Sequence, residues 1–205
     1  GPLQLEGAIG VGHSKGGHAL LTAFPQAPGE FAALLLVDPV VNKPEDYAPK
    51  PDAGGEHFAA RRRNEWSSVD EMYERFASRA PFDVWDKAVL RDYCEYGLVP
   101  NPDGEGLVLA CPPWIEAATY KGGAGENPYE AIAQVNVPVD ILRAKPRTQA
   151  YAADMSASPT NPELVTFFAD ARDFPYPEMT HFIPMQDPAL VARHVRELAE
   201  RAGLT

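Results

Sequence analysis

The stretch that decides the fold is Leu5-Glu6-Gly7-Ala8-Ile9-Gly10-Val11, followed directly by Gly12-His13-Ser14-Lys15-Gly16. The first seven residues have the apolar character of a short buried strand, and the next five have the pattern G-x-S-x-G. A strand that turns sharply into a helix here would hold Ser14 at the tip of the turn, clear of the sheet. Glycine on either side lets the turn close, because a Cβ atom there would collide with neighbouring backbone.

Composition and charge restrict the class of protein. A chain of 205 residues with 23% charged residues is typical of one globular domain, or of one domain with a large insertion. The net charge of −11 disfavours a nucleic-acid partner, since nucleic-acid affinity depends on cationic contacts. No apolar run reaches the roughly 18 residues of a membrane span, so no span is expected. Cys94 and Cys111 lack metal-type spacing, so we expect two reduced thiols, with a disulfide as the alternative. We also expect a cytoplasmic location.

Apolar patterning predicts an α/β fold that an insertion interrupts. Strands are predicted at residues 5–11, 31–37, 137–142 and 164–169, and helices at residues 15–23 and 188–202. The strand at residues 31–37 is apolar throughout, as in a parallel sheet buried on both faces. Between residues 42 and 134, prolines, charges and aromatic residues replace this pattern and predict short helices. We therefore predict a parallel-sheet core from residues 1–41 and 135–205, and a mostly helical lid from residues 42–134.

His181 is the candidate for the base that Ser14 requires. A serine hydroxyl is a weak nucleophile at neutral pH, and it needs a histidine to accept its proton and an acid to orient that histidine. His181 lies after the last predicted strand and before the final helix. Among the other histidines, His13 adjoins the serine and the rest lie on predicted helices or in the lid. A loop histidine packed beside Phe182 is the alternative interpretation of His181.

Two aspartates compete for the role of the acid. Asp38 follows the strand at residues 31–37, and sites of parallel sheets assemble at the carboxyl ends of the strands. The commoner place is after the strand at residues 137–142, but no acid follows directly there, since Asp140 lies within the strand. We predict Asp38 as the acid, with Asp154 as the alternative. The Asp38-Pro39 dipeptide is also typical of a simple turn.

Three segments together resemble the α/β-hydrolases: G-x-S-x-G at residues 12–16, Val-Asp-Pro at residues 37–39 and His-Phe-Ile-Pro-Met at residues 181–185. The branch resembled is the one in which the acid follows the strand after the serine-bearing turn and its helix. It includes the fungal mycophenolic-acid-pathway acyl-CoA hydrolase and the yeast peroxisomal lipase. The resemblance implies the C-terminal part of the α/β-hydrolase sheet with an inserted lid. It also implies a triad of Ser14, Asp38 and His181, and no cofactor or metal.

The same resemblance implies a hydrolase that cleaves a small-molecule acyl substrate, a carboxylic ester, thioester or lactone, through an acyl-enzyme on Ser14. The backbone N–H of Lys15 would contribute to the oxyanion hole. Candidate walls of an acyl pocket in the lid are Trp66, Trp85, Trp114 and Tyr120; interior packing of the lid is the alternative for each. Hydrolysis of a C–C bond in a β-diketone or a ring-cleavage product would use the same triad.

The fold also leads us to expect structure upstream of the serine. α/β-Hydrolases carry further strands, and the second donor of the oxyanion hole, before this turn. We therefore expect an N-terminal half, or a homo-oligomer, to cover the open edge of the strand at residues 5–11. A non-catalytic fragment that depends on assembly is the third interpretation of the sequence.

Overall fold

The computed structural model describes residues 6–48, 55–122, 126–147 and 156–204. Within these ranges the chain forms seven strands and seven α-helices. In chain order they are β1 (Ala8–His13), α1 (Lys15–Ala23), β2 (Phe31–Val37), β3 (Glu65–Trp66), α2 (Val69–Ala77), α3 (Lys87–Tyr96), β4 (Leu98–Pro100), β5 (Leu107–Leu109), α4 (Pro113–Gly122), α5 (Tyr129–Ile132), β6 (Val139–Arg143), β7 (Ala171–Pro175), α6 (Ile183–Gln186) and α7 (Pro188–Arg201). None of these helices combines the length and apolar character that crossing a membrane requires.

The chain divides into two compact units, Gly1–Ala48 with Asn127–Thr205, and Pro49–Glu126. The first unit contains a parallel sheet in the order β1-β2-β6-β7. The succession β1, α1, β2 is the strand-helix-strand arrangement predicted for the first forty residues, and the predicted α/β fold class is confirmed. Because all four strands are parallel, their carboxyl ends meet at one edge of the sheet.

Strand β2 is fully apolar because both faces of the sheet are covered. Leu34 and Leu36 pack in one cluster with residues of α1, and Leu35 and Val37 pack in another with residues of α7. Alternate side chains of a strand point to opposite faces, so this run serves two cores at once. The final helix α7 begins where predicted, with the Asp187 side chain accepting a hydrogen bond from the Leu190 N–H at 2.8 Å.

The predicted strand at residues 164–169 is wrong. Leu164–Phe167 forms a 3₁₀ turn, and the fourth strand of the sheet, β7, begins at Ala171. Leu164 and Phe168 are buried in the cluster that includes α1, so their apolar character reflects core packing rather than a strand. The apolar pattern did not predict β7, because this strand lies at the edge of the described sheet and carries charged residues such as Arg172 and Asp173.

The second unit, Pro49–Glu126, combines helices with a small antiparallel sheet. The strand order is β3-β5-β4, and α2, α3 and α4 complete the unit. At the start of helix α2, the Ser68 hydroxyl accepts from the Glu71 N–H at 3.1 Å, and the Glu71 carboxylate accepts from the Ser67 N–H at 2.9 Å. Segments on either side, including Asn42 and Tyr129, belong to the first unit, where the Tyr129 hydroxyl donates to the Asn42 carbonyl at 2.7 Å.

Candidate active site

The turn between β1 and α1 presents Ser14 in a strained conformation. Its φ is 56° and its ψ −124°, values that non-glycine residues rarely adopt. Close packing of glycine backbone makes the turn possible. A Cβ on Gly12 would lie 2.7 Å from the carbonyl oxygen of Gly16, and a Cβ on Gly17 would lie 2.8 Å from the Pro39 side chain. The Ser14 N–H donates to the Val37 carbonyl at 3.0 Å, which ties the turn to the end of β2.

Ser14, His181 and Asp38 form a continuous hydrogen-bonded chain. The Ser14 Oγ lies 2.8 Å from His181 Nε2, and His181 Nδ1 lies 2.7 Å from Asp38 Oδ2. Because an ionised carboxylate only accepts, Nδ1 carries the proton, and Nε2 is free to accept the serine proton. The three side chains come from the ends of β1 and β2 and from the loop that precedes α6. This is the arrangement of nucleophile, base and orienting acid.

Asp38 is fully buried and occupies a second strained position, with φ at 46°. Its Oδ2 faces His181, and its Oδ1 accepts from the Ala144 N–H at 3.0 Å and from the Ser158 hydroxyl at 2.5 Å. These donors replace water around the carboxylate charge. The competing candidate Asp154 lies outside the described residues. Asp140, also fully buried, pairs with two arginines instead, Arg172 and Arg201.

Comparison with known proteins identifies the fold. No protein-family model matches the sequence. Over 82 residues the chain is 33% identical to the abhydrolase domain-containing protein AKT2 of Alternaria alternata, a region that covers 40% of this chain and 30% of AKT2. The solved E-2-(acetamidomethylene)succinate hydrolase superposes with a TM-score of 0.67 at 18% identity, covering 97% of this chain and 69% of that one. The chain is an α/β-hydrolase-fold protein.

A second solved structure of the α/β-hydrolase fold, the peroxisomal Lpx1 of Saccharomyces cerevisiae, superposes with a TM-score of 0.70 at 14% identity. The superposition covers 96% of this chain and 54% of Lpx1. The chain therefore matches about 30% of the length of its curated relative and about half to two thirds of these structures. The predicted resemblance to α/β-hydrolases is confirmed at the level of the fold.

His13 makes a contact to the base that sequence reasoning missed. Its Nε2 lies 2.8 Å from the carbonyl oxygen of His181, so its N–H donates there, and the two rings lie 4.9 Å apart between centroids. Burial is the largest influence on the pKa of His13 and lowers it, while the hydrogen bond to the His181 carbonyl acts the other way. A neutral His13 therefore tethers the loop of the base without placing a second cation beside it. The sequence signal that could have indicated this contact is the position of His13 directly before Ser14.

Lys15 begins helix α1, so its backbone N–H is one of the donors at the helix N-terminus that have no partner within the helix. It stands immediately after the serine, where an oxyanion donor is required. Elsewhere in the described ranges, no three His, Cys, Asp or Glu side chains come close enough together to hold a metal ion. Both cysteines are free thiols, as predicted; Cys94 is buried and Cys111 exposed.

The four predicted aromatic wall residues fall into two groups within the second unit. Trp66 and Trp85 are buried, with relative exposures of 4% and 8%. The Trp66 ring packs edge-on against Phe76 at 5.4 Å between centroids, and Trp85 packs against Phe82 at 4.9 Å. By contrast, Trp114 is 69% exposed and Tyr120 38% exposed. The first two rings lie in the interior of the unit, and the second two are exposed at its surface.

Proposed function

We propose that this protein is a serine hydrolase that cleaves a carboxylic ester, thioester or lactone through an acyl-enzyme on Ser14. The observation that carries the proposal is the chain of two short hydrogen bonds from Ser14 through His181 to the buried Asp38. Solved structures of the same fold include a thioesterase domain from the curacin pathway, an esterase from Thermogutta terrifontis and an N-acyl homoserine lactone degrading enzyme. Their chemistry supports an acyl substrate.

In the proposed mechanism, Ser14 Oγ attacks the acyl carbon while its proton passes to His181 Nε2. The charge that develops on the imidazole is stabilised by Asp38, which also fixes Nδ1 as the protonated nitrogen. His181 then gives the proton to the leaving alcohol or thiol, and the acyl group remains on Ser14. A water molecule, deprotonated by His181, attacks the acyl-enzyme and releases the acid. No step requires a cofactor or a metal.

The negative charge on the substrate oxygen requires at least two donors in this fold. We assign one to the backbone N–H of Lys15. Loss of one such donor costs roughly a hundredfold to a thousandfold in rate. Full activity therefore requires both donors.

We propose that the lid insertion predicted at residues 42–134 selects the acyl group, with the exposed Trp114 and Tyr120 as contacts. Trp66 and Trp85 would support these contacts from the interior of the second unit. Replacing Trp114 by Ala should change the preferred acyl length, whereas replacing Trp66 should mainly lower the melting temperature. A cytoplasmic location is part of the proposal, and the free thiols Cys94 and Cys111 are compatible with a reducing compartment.

The decisive experiment is reaction with a fluorophosphonate probe, followed by intact mass and peptide mapping. We expect one covalent adduct on Ser14 that is absent in Ser14→Ala and in His181→Ala. Ser78→Ala is the matched control, because Ser78 is an exposed serine of the second unit. An adduct on another serine would contradict Ser14 as the nucleophile. No adduct on folded protein would contradict the proposal and favour a non-catalytic chain.

A substrate panel then separates the reaction classes. It contains esters of increasing acyl length, an acyl thioester, a lactone and a β-diketone. Turnover of an ester, thioester or lactone supports the proposal. Turnover of the β-diketone alone would replace it by C–C bond hydrolysis, because the same triad serves both reactions.

A further inference from the structure

The segment at residues 156–161, which we name the acid clamp, contacts both the acid and the base of the candidate triad. Ser158 Oγ lies 2.5 Å from Asp38 Oδ1, and the Ser156 carbonyl accepts a hydrogen bond from the His181 N–H at 2.7 Å. The clamp follows β6 along the chain, at the place where many proteins of this fold carry the acid itself. Here that place supplies a hydroxyl that faces the acid.

The hydrogen-bond distances show which hydroxyl donates to the Asp38 carboxylate. A hydroxyl has one proton to donate. The Thr160 hydroxyl lies 2.7 Å from the Pro39 carbonyl but 3.3 Å from Asp38 Oδ1, so its proton goes to Pro39. The Ser158 hydroxyl accepts from the Thr160 N–H at 3.2 Å and therefore directs its own proton to Asp38.

The acid clamp is itself fixed at both ends. The Ser158 N–H donates to the Lys145 carbonyl at 2.8 Å, next to the end of β6, and the Asn161 N–H donates to the Val41 carbonyl at 2.7 Å. The Asn161 side chain also donates to the Tyr129 hydroxyl at 2.9 Å. Ser158 is 7% exposed, and the carboxylate that it meets is fully buried. The backbone that carries Ser158 is therefore held on both sides.

We propose that Ser158 is a positioning residue of the hydrolase: its hydroxyl holds Asp38 Oδ1 so that Oδ2 faces His181 Nδ1. This inference rests on the proposed function of the triad. Two donors on Oδ1, from Ser158 and the Ala144 N–H, prevent the carboxylate from rotating away from the imidazole. They also disperse the charge of the carboxylate, which moderates its hold on the imidazolium.

The test is Ser158→Ala, measured by the second-order rate of fluorophosphonate labelling across the titration range of histidine. Removing one hydrogen bond to a charged group should slow labelling roughly tenfold to a hundredfold. The acidic limb of the pH profile should move to higher pH, because a carboxylate with fewer donors holds the imidazolium proton more tightly. Ser158→Thr keeps the hydroxyl and should retain most of the rate. Thr166→Val, which removes an exposed hydroxyl of the first unit, is the matched control and should match the wild type.

A second readout does not depend on catalysis. The proton between His181 Nδ1 and Asp38 should give a far-downfield proton NMR resonance, which should shift or broaden in Ser158→Ala and return in Ser158→Thr. Should wild-type protein resist labelling, the proposed function fails, and this resonance alone judges the role of Ser158. Ser158→Ala protein with the wild-type resonance, labelling rate and pH profile would overturn the inference. If Ser158→Ala lowers the melting temperature but leaves the pH profile of labelling unchanged, the inference is also overturned, because Ser158 would then have only a structural role.

Discussion

Replacing Asp140 by Asn should destabilise the fold without touching the candidate triad. Asp140 lies on β6, fully buried, and accepts from Arg172 on β7 at 2.9 and 2.7 Å. It also accepts from Arg201 on α7 at 2.8 Å. The carboxylate thus joins two strands and the last helix. Asparagine keeps the shape but removes the charge, and its NH₂ group would face a guanidinium donor.

The magnitude follows from burial. Removing one partner of a buried ion pair costs about 3–5 kcal/mol, because the other charge remains uncompensated. Here the arginines are less buried than the acid, with side-chain exposures of 43% for Arg172 and 18% for Arg201, so both can regain water. We therefore expect a loss of about 2–3 kcal/mol. For a chain of this size, that corresponds to a drop of about 4–12 °C in melting temperature.

The loss is measured by urea unfolding and thermal melting of Asp140→Asn, with Asp70→Asn as the control. Asp70 also pairs with an arginine, Arg91, but its side chain is 71% exposed, so its loss should cost less than about 1 kcal/mol. Fluorophosphonate labelling of folded Asp140→Asn should equal that of the wild type. Equal stability of the two variants would refute the reasoning from burial. Lost labelling in folded Asp140→Asn would refute the claim that Asp140 acts on the fold alone.

Gly12→Ala should lower the melting temperature sharply, because the new Cβ would lie 2.7 Å from the Gly16 carbonyl oxygen; Gly16→Ala, with no atom within 4 Å of its Cβ, should change it little. Burial lowers the pKa of His194, so the unfolded chain binds more protons below about pH 6.5. The free energy of unfolding should therefore be highest above that pH and decrease below it. In His194→Gln, the urea midpoint should decrease less as the pH is lowered than it does in the wild type. Burial also raises the pKa of the Cys94 thiol, so a thiol-alkylating reagent should modify Cys111 in folded protein and Cys94 only after unfolding, as read by peptide mass.

The parts of the fold that could be predicted are those in which one local pattern has one structural cause. The continuous apolar run that forms β2 predicts a strand of a parallel sheet, because such a strand is buried on both faces. The serine turn was predictable because close backbone packing requires glycine at Gly12. Strand β7 was not predictable, since an edge strand carries charges such as Arg172, while the more apolar segment beside it packs into the core as a turn.

The candidate site divides in the same way. Ser14, Asp38 and His181 each follow a strand or precede a helix, so topology alone brings them near one edge of the sheet. The contact between Ser158 and Asp38 joins residues 120 positions apart, and nothing in the local sequence of either residue indicates it. Aromatic residue type likewise could not separate the buried Trp66 from the exposed Trp114, because that difference depends on how the second unit packs.

Backbone strain supplies an argument for catalysis that does not depend on the side-chain contacts. Among the described residues, Ser14 and Asp38 are the two non-glycine residues with φ in the left-handed region. Each such position costs about 1–3 kcal/mol and persists only where surrounding structure imposes it. Here the Asp38 N–H donates to the Leu142 carbonyl at 2.7 Å and the Val40 N–H donates to the Ser14 carbonyl at 3.0 Å, which locks both strand ends together. A chain with no use for this geometry would gain stability by relaxing either residue. The coincidence of strain with the proposed nucleophile and the proposed acid therefore favours a preorganised catalytic site over a non-catalytic scaffold.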